Sequence, residues 1–388
     1  MIRRKCFLVT VFLVFIVSIF SFVNSPKNIQ GKDHTINLRW IKGHDAETWD
    51  QFRTGLMWDL SFLGAKLPMS STASIIQRTD SASVLLNLDA AGFDHDALAA
   101  FEVIIDSLQQ SEEYLKHSNI DAGRFVMLTL NSSWHYYKIT GAEPTLKKFI
   151  KKHHFKDDEL FPVINSSVAK HNRLIRFTTS EDISRIAFIA EEGIFDTSTN
   201  KMNAEAFEVM DIMPNGQLRF AVYNEDGYLI EGTPSKLGIA GKPAKCLWCH
   251  ETNIQIDFKE NPAVGNFIGT AEFNKRINGF QATLDKYRTS LDSEIDFNKK
   301  QEHTYGEFLY LCFMEPSIGR LAAELEIDKA ELLNKTSGMD FHNSAEFSFF
   351  KDLFHRRQVE GLMPWRAAAV PSETRETGDF EPNYFKNK

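Results

Sequence analysis

The chain has little cysteine and few of the motifs that announce common chemistries. Its 388 residues contain four cysteines, Cys6, Cys246, Cys249 and Cys312. Only Cys246 and Cys249 lie close together, and no second close ligand pair accompanies them, which argues against a structural zinc site. No βαβ thioredoxin pattern surrounds that pair. There is no P-loop, no G-x-G-x-x-G and no G-x-S-x-G, so phosphate-cradling and nucleophile-elbow signatures are missing. No internal repeat is visible. There is no excess of positive charge: the net charge of −8 argues against nucleic acid as the main partner.

The bulk composition is that of an ordinary globular protein, with 43% hydrophobic and 25% charged residues. The length suggests two or three domains. Phenylalanine is abundant, at 32 residues, which suits an aromatic-rich core.

The most informative stretch is Cys246-Leu247-Trp248-Cys249-His250. C-x-x-C-H is the spacing of covalent c-type haem attachment. Two thiols three positions apart can form thioethers to both vinyl groups of one haem, and the next residue supplies an axial imidazole. With 4 cysteines and 12 histidines in the chain, the pattern is expected by chance about 0.001 times. A disulfide, half of a zinc site and a redox dithiol are the other readings of the two cysteines.

The motif resembles that of the c-type cytochromes. A β meander ending in Gly241-Lys242-Pro243-Ala244-Lys245 precedes it, and in this the chain is similar to the β-sheet cytochromes of the cytochrome c′-beta group. The chain departs from that group in continuing from His250 to Lys388. The resemblance implies one covalent haem c per chain, held by Cys246 and Cys249, with His250 as the proximal iron ligand. Downstream candidates for the distal ligand are His303, Met314, Met339, His342, His355 and Met363. Among them Met363 stands out, because Gly361-Leu362-Met363-Pro364 resembles the G-x-M-P that carries the axial methionine in small cytochromes c. A second strong ligand favours electron transfer, and an open position favours chemistry on small molecules.

The N-terminal segment carries Arg3, Arg4 and Lys5 before an apolar run from Phe7 to Val23. It reads as a signal peptide or N-terminal membrane anchor over residues 1–25. Positive charge before the run directs the rest of the chain outward, to the periplasm or the outer face of the cytoplasmic membrane. Residues 7–23 are then the expected membrane contact.

The remainder reads as α+β: a helical N-terminal domain (36–160), a central antiparallel β meander (161–245), a helical C-terminal region carrying the motif (246–370) and a loose polar tail (371–388). Trp49, Phe52, Leu56, Leu60 and Leu63 share one helix face, with Asp45 as the expected N-cap. Further helices are expected between Asp96 and His117 and over 122–141, the latter ending in Trp134, His135, Tyr136 and Tyr137, which read as core. Lys147 to Lys152 read as a solvated helix face followed by His153 and His154. Leu218, Phe220 and Val222 alternate as a strand between the turns Pro214-Asn215-Gly216 and Glu225-Asp226-Gly227. Cys312 reads as a buried, inert thiol on a helix. Beyond it, Asp328 and Glu331 open one helix, and Ser344 caps another bearing Phe347, Phe350 and Phe354. The functional expectation is an exported monohaem electron carrier working with a redox partner protein. The alternative is a haem enzyme or a gas or redox sensor with an open distal site, peroxidase-like in its chemistry.

Overall fold

The computed structural model describes residues 33–155, 160–163, 169, 172–180, 182–196, 199, 201–254, 267–344, 346–350 and 352–386. The apolar run 7–23 lies outside them. Among the described residues no helix is long and apolar enough to cross a membrane. His34–Lys388 form one compact unit.

The fold is α+β, with helices at the N-terminal side, a central antiparallel meander and helices again at the C-terminal side. The first part is helical, with a small sheet that hydrophobic periodicity did not reveal. Strands β1 (Thr35–Arg39), β2 (Ile76–Arg78), β3 (Ser83–Asn87) and β4 (Ile120–Asp121) pair in the order β2-β3-β1-β4. They are two to five residues long, too short for alternation to be told from chance. Around them run α1 (Trp49–Phe62), α2 (His95–Gln109), α3 (Glu112–His117), α4 (Ala122–Thr129), α5 (Ser133–Thr140) and α6 (Leu146–His153).

Local chemistry sets the helix limits. Thr48 rather than Asp45 caps α1, because Gln51 three residues on returns the hydrogen bond and closes a capping box. The helix expected over 122–141 is broken into α4 and α5 at Asn131-Ser132-Ser133. These short polar side chains compete with helical hydrogen bonds, and here they meet the C-terminal tail. Ser132 Oγ donates to the Pro382 carbonyl at 3.0 Å, and the Ser133 amide donates to Glu381 Oε1 at 2.6 Å.

The main sheet has five strands in sequential order: β5 (Leu160–Val163), β6 (Asn172–Phe177), β7 (Ala187–Asp196), β8 (Lys201–Ile212) and β9 (Leu218–Asn224). All neighbours are antiparallel, with a register shift between Glu192 and Gly193. β9 lies at the edge, and its free amides are answered by α5. Tyr136 and Tyr137 hydroxyls accept from the Phe220 and Val222 amides, each at 3.2 Å. Both tyrosines are buried, so the aromatic cluster is core, and it also closes an exposed edge. On α6, His153 is buried as well, with its ring 3.0 Å from Asp211 Oδ2.

After the sheet come α7 (Pro243–His250), α8 (Thr270–Arg288), α9 (Thr304–Met314), α10 (Ile318–Leu325) and α11 (Lys329–Lys335). One hydrophobic core runs from Ile36 to Met314 and includes Leu247, Phe273 and Phe280. Cys312 is buried on α9, and burial pushes its thiol up. A smaller core holds Leu321, Leu325, Leu332, Phe354, Val359, Met363 and Trp365.

Two expectations near the C-terminus are corrected. Ser344 does accept from the Phe347 amide, at 3.0 Å, yet it caps no α-helix. The segment forms a 3₁₀ turn, Ser348–Phe350, because Phe347, Phe349 and Phe350 pack together against Phe308 instead of along one helix face. It is flanked by β10 (His342–Asn343) and β11 (Asp352–Leu353), which pair as a two-residue ladder. The polar tail is not loose. Tyr384 and Phe385 pack on the main core, and the Tyr384 amide donates to His135 Nε2 at 3.1 Å.

The tail also holds the one fully buried lysine of this region. Lys242, with no exposed surface, donates through Nζ to Glu381 at 3.1 Å and to the Glu373 carbonyl at 2.7 Å. Burial pushes Lys242 down and Glu381 up, and each charge offsets that for the other. Glu381→Ala leaves a buried ammonium without its carboxylate. It is expected to cost about 3–5 kcal/mol in a denaturant titration; a loss below about 1 kcal/mol would show the pair to be dispensable.

Candidate functional site

The C-x-x-C-H motif is itself a helix. Pro243 stands at the first position of α7, where its missing amide costs nothing. Helical spacing puts Cys246, Cys249 and His250 on one face as i, i+3 and i+4. Leu247 is buried in the main core. Arg375 from the tail lies over the Trp248 ring at 4.2 Å, and Trp248 donates to Glu346 at 3.0 Å.

The helix ends in a tight, strained turn. Glu251 and Thr252 are both left-handed, with φ of 44° and 68°, which costs on the order of 1–3 kcal/mol per residue. The turn carries the Asn253 carbonyl back to His250 Nδ1 at 3.0 Å. A carbonyl can only accept, so Nδ1 carries the proton and Nε2 keeps its lone pair. Burial lowers the His250 pKa and favours this neutral ring. The turn is held from outside: Arg288 donates to the Thr252 and Gly216 carbonyls, and the Ile254 amide donates to Gln281 at 2.8 Å.

Cys246 and His250 face one side of the five-stranded sheet. Between them, the sheet and α8 lies a half-open cavity of about 120 Å³. The space opens outward from there to solvent. Its walls are apolar, with Ile175, Phe188, Met210, Phe220, Phe273 and Ile277. The Phe220 ring lies 5.0 Å from that of His250. Cys246 is half-buried and Cys249 exposed.

The residues present suit a covalent haem. Two thiols and an imidazole with a free Nε2 share one helix face beside an apolar cleft, and the ring is oriented by a backbone carbonyl. The competing readings fare less well. Both thiols are pushed up by burial, whereas a redox dithiol needs a lowered pKa. Among the described residues no cluster of metal-ligating side chains includes either one.

One part of the cleft is charged. Arg173 on β6 stands opposite Glu192 on β7, Glu208 on β8 lies diagonal to Glu192, and Arg173 and Glu208 reach the cavity wall. Arg173 Nε donates to Glu192 at 2.8 Å, and its terminal nitrogen also pairs with Glu208. Thr233 donates to Glu208. Burial, with Glu208 beside it, raises Glu192 to about 7. The three residues sit on three different strands, so nothing in the sequence marked them as a group.

None of the six expected distal-ligand candidates lines this cavity. Met363 is buried in the smaller core with Leu321 and Trp365. Met339 packs at the edge of that core, and Met314 lies in the main one. His303 is buried beside Trp58 and Phe62 and pairs with Glu307 at 3.2 Å. His342 and His355 stack on each other beside Glu315. The thioether that does line the cavity is that of Met210. Strand alternation alone could have placed it on the same face as Glu208, but nothing in the sequence paired that face with His250.

Comparisons with known proteins give no match: no family model, no curated protein and no solved structure is similar to the chain. The case for the site therefore rests on its own residues.

Glu192 gives a test by pH. A carboxyl whose folded pKa is raised stabilises the fold at low pH and loses that contribution as pH climbs from about 4.5 to about 7. Glu192→Gln should flatten the fall in stability across that window, read as denaturation midpoints at several pH values. An unchanged slope would mean that Glu192 stays ionised.

Proposed function

We propose that the chain is an exported monohaem c-type cytochrome. Haem c would be held by Cys246 and Cys249, with His250 as the proximal ligand. The observation that carries this reading is the His250 Nδ1–Asn253 carbonyl bond, which leaves Nε2 unprotonated in an apolar cleft shared with Cys246. When bound, the haem supplies one-electron redox chemistry. The chain supplies the rest. The apolar wall of Phe188, Phe220 and Phe273 excludes water and favours the less charged state of a cofactor. The exposed position of Cys249 leaves an edge of the site near the surface, which suits exchange with a redox partner protein. Export is supported by Arg3, Arg4 and Lys5 before the apolar run 7–23. The corresponding location is the periplasm or the outer face of the cytoplasmic membrane.

A second reading, a haem enzyme or a gas or redox sensor with an open distal position, draws on two observations. Met363 belongs to another core, and Arg173, Glu192 and Glu208 set buried charge and an exchangeable proton against an apolar cleft. A plain carrier needs neither. Met210 is the thioether that keeps the carrier reading direct, since it shares the cavity with His250.

Visible spectra of the purified protein separate these outcomes. A haem whose ferrous form ignores carbon monoxide and whose ferric form shows the weak near-infrared thioether band supports the carrier. Loss of that band in Met210→Ala would identify the ligand. Ready binding of carbon monoxide supports the open site. His250→Ala should lose the native Soret spectrum, and an unchanged spectrum would reject the proximal assignment. Met363→Ala should leave the spectrum unaltered and cost about 2–5 kcal/mol of stability through the cavity it opens.

A further inference from the structure

Outside the cleft beside His250, three side chains with metal-binding atoms converge. Glu315 follows the last turn of α9, His342 lies in β10, and His355 follows β11. Their ligand atoms all lie within 4.8 Å of one another. Among the described residues no other group of three histidine, cysteine or acidic side chains does so. The two imidazoles stack with centroids 4.2 Å apart and planes 14° from parallel.

The backbone beneath them is tied together. Leu353 pairs with His342 on one side and bridges to Ser317 on the other. The Phe354 amide donates to the Pro316 carbonyl at 3.0 Å. Three adjoining stretches of chain thus fix where Glu315, His342 and His355 start from, which limits the ordering cost of bringing them to one ion.

Without a cation the arrangement is poorly satisfied. Both ring nitrogens of His342 are shielded from water and have no hydrogen-bond partner. Glu315 approaches His342 Nε2 at 3.3 Å, but off the line a hydrogen bond requires. Protonating both histidines would set two cations face to face. Keeping both neutral leaves unused lone pairs beside a carboxylate. A dication answers all three groups together.

We propose that Glu315, His342 and His355 form a binding site for a first-row transition-metal dication. Two imidazoles and one carboxylate suit zinc, copper, nickel or ferrous iron better than calcium or magnesium. Donors at about 2.0–2.2 Å from a tetrahedral ion lie about 3.3 Å from each other. Closing from the present spread asks chiefly for rotation of His355, which is exposed. Three protein ligands leave a position for water. The site does not depend on the haem reading, because it shares no residue with the cleft.

The test is equilibrium dialysis of the full chain against Zn²⁺ after removal of adventitious metal, with a metal count per protein and calorimetry. The wild type should retain one Zn²⁺ per chain at neutral pH and give it up to excess chelator. His355→Ala, on an exposed side chain, should stay folded by circular dichroism and lose the ion. His342→Ala should lose it as well. No bound Zn²⁺ in the wild type would overturn the proposal. So would Zn²⁺ that survives both histidine variants, or that is lost only when Cys246 and Cys249 are replaced, since that would assign the ion to the motif.

Discussion

A lysine with no access to water must be answered by other parts of the chain, and Lys242 is answered by residues more than a hundred positions away. Its ammonium meets Glu381 and the Glu373 carbonyl, and its amide donates to the Arg375 carbonyl. Lys242 is also the N-cap of the motif helix. The same tail residue, Glu381, accepts from Ser133 at the break between α4 and α5. The start of the motif helix, the break in the N-terminal helices and the C-terminus are thereby fixed to one another through one buried charge pair. Truncating either partner leaves an uncompensated charge in a low-dielectric interior, a larger effect than the pair's own net contribution.

The other end of the motif helix is fixed by different means. Two consecutive left-handed residues turn the chain so that the Asn253 carbonyl accepts a hydrogen bond from His250 Nδ1. Arg288 and Gln281 hold that turn from α8. Strain is tolerated where the surroundings over-determine it, and here the outcome is an imidazole with a defined tautomer beside an apolar sheet face. Position along the helix and orientation of the ring suit covalent attachment of a flat, apolar, metal-centred cofactor.

Much of this was legible in the sequence, and the reasons for what was not are local. The α+β class followed from long segments whose period was unambiguous, as in Trp49 to Leu63 or Leu218 to Val222. The motif singled out three residues by spacing, and the structure places them on one helix. The small N-terminal sheet was hidden because its strands are too short to show a period. The tail was misread because its composition is polar, whereas its order comes from partners remote in sequence: His135, Ser132, Ser133 and Lys242. The Arg173–Glu192–Glu208 group was hidden for a related reason. Each residue is a plain polar position in its own strand, and only the antiparallel register brings them together. Met363 carried a persuasive local pattern, Gly361-Leu362-Met363-Pro364, but its neighbours in space are Leu321 and Trp365.

The claim on which the functional account stands is that a haem is joined covalently to Cys246 and Cys249. Extraction of the denatured protein with acidified acetone, followed by a pyridine haemochrome spectrum of the pellet, tests it directly. The account predicts that the colour stays with the protein, with a thioether-type haemochrome, and is lost when both cysteines are replaced by alanine. Colour that leaves with the solvent, or a protein with no haem when made in a host that attaches haem c, would contradict it.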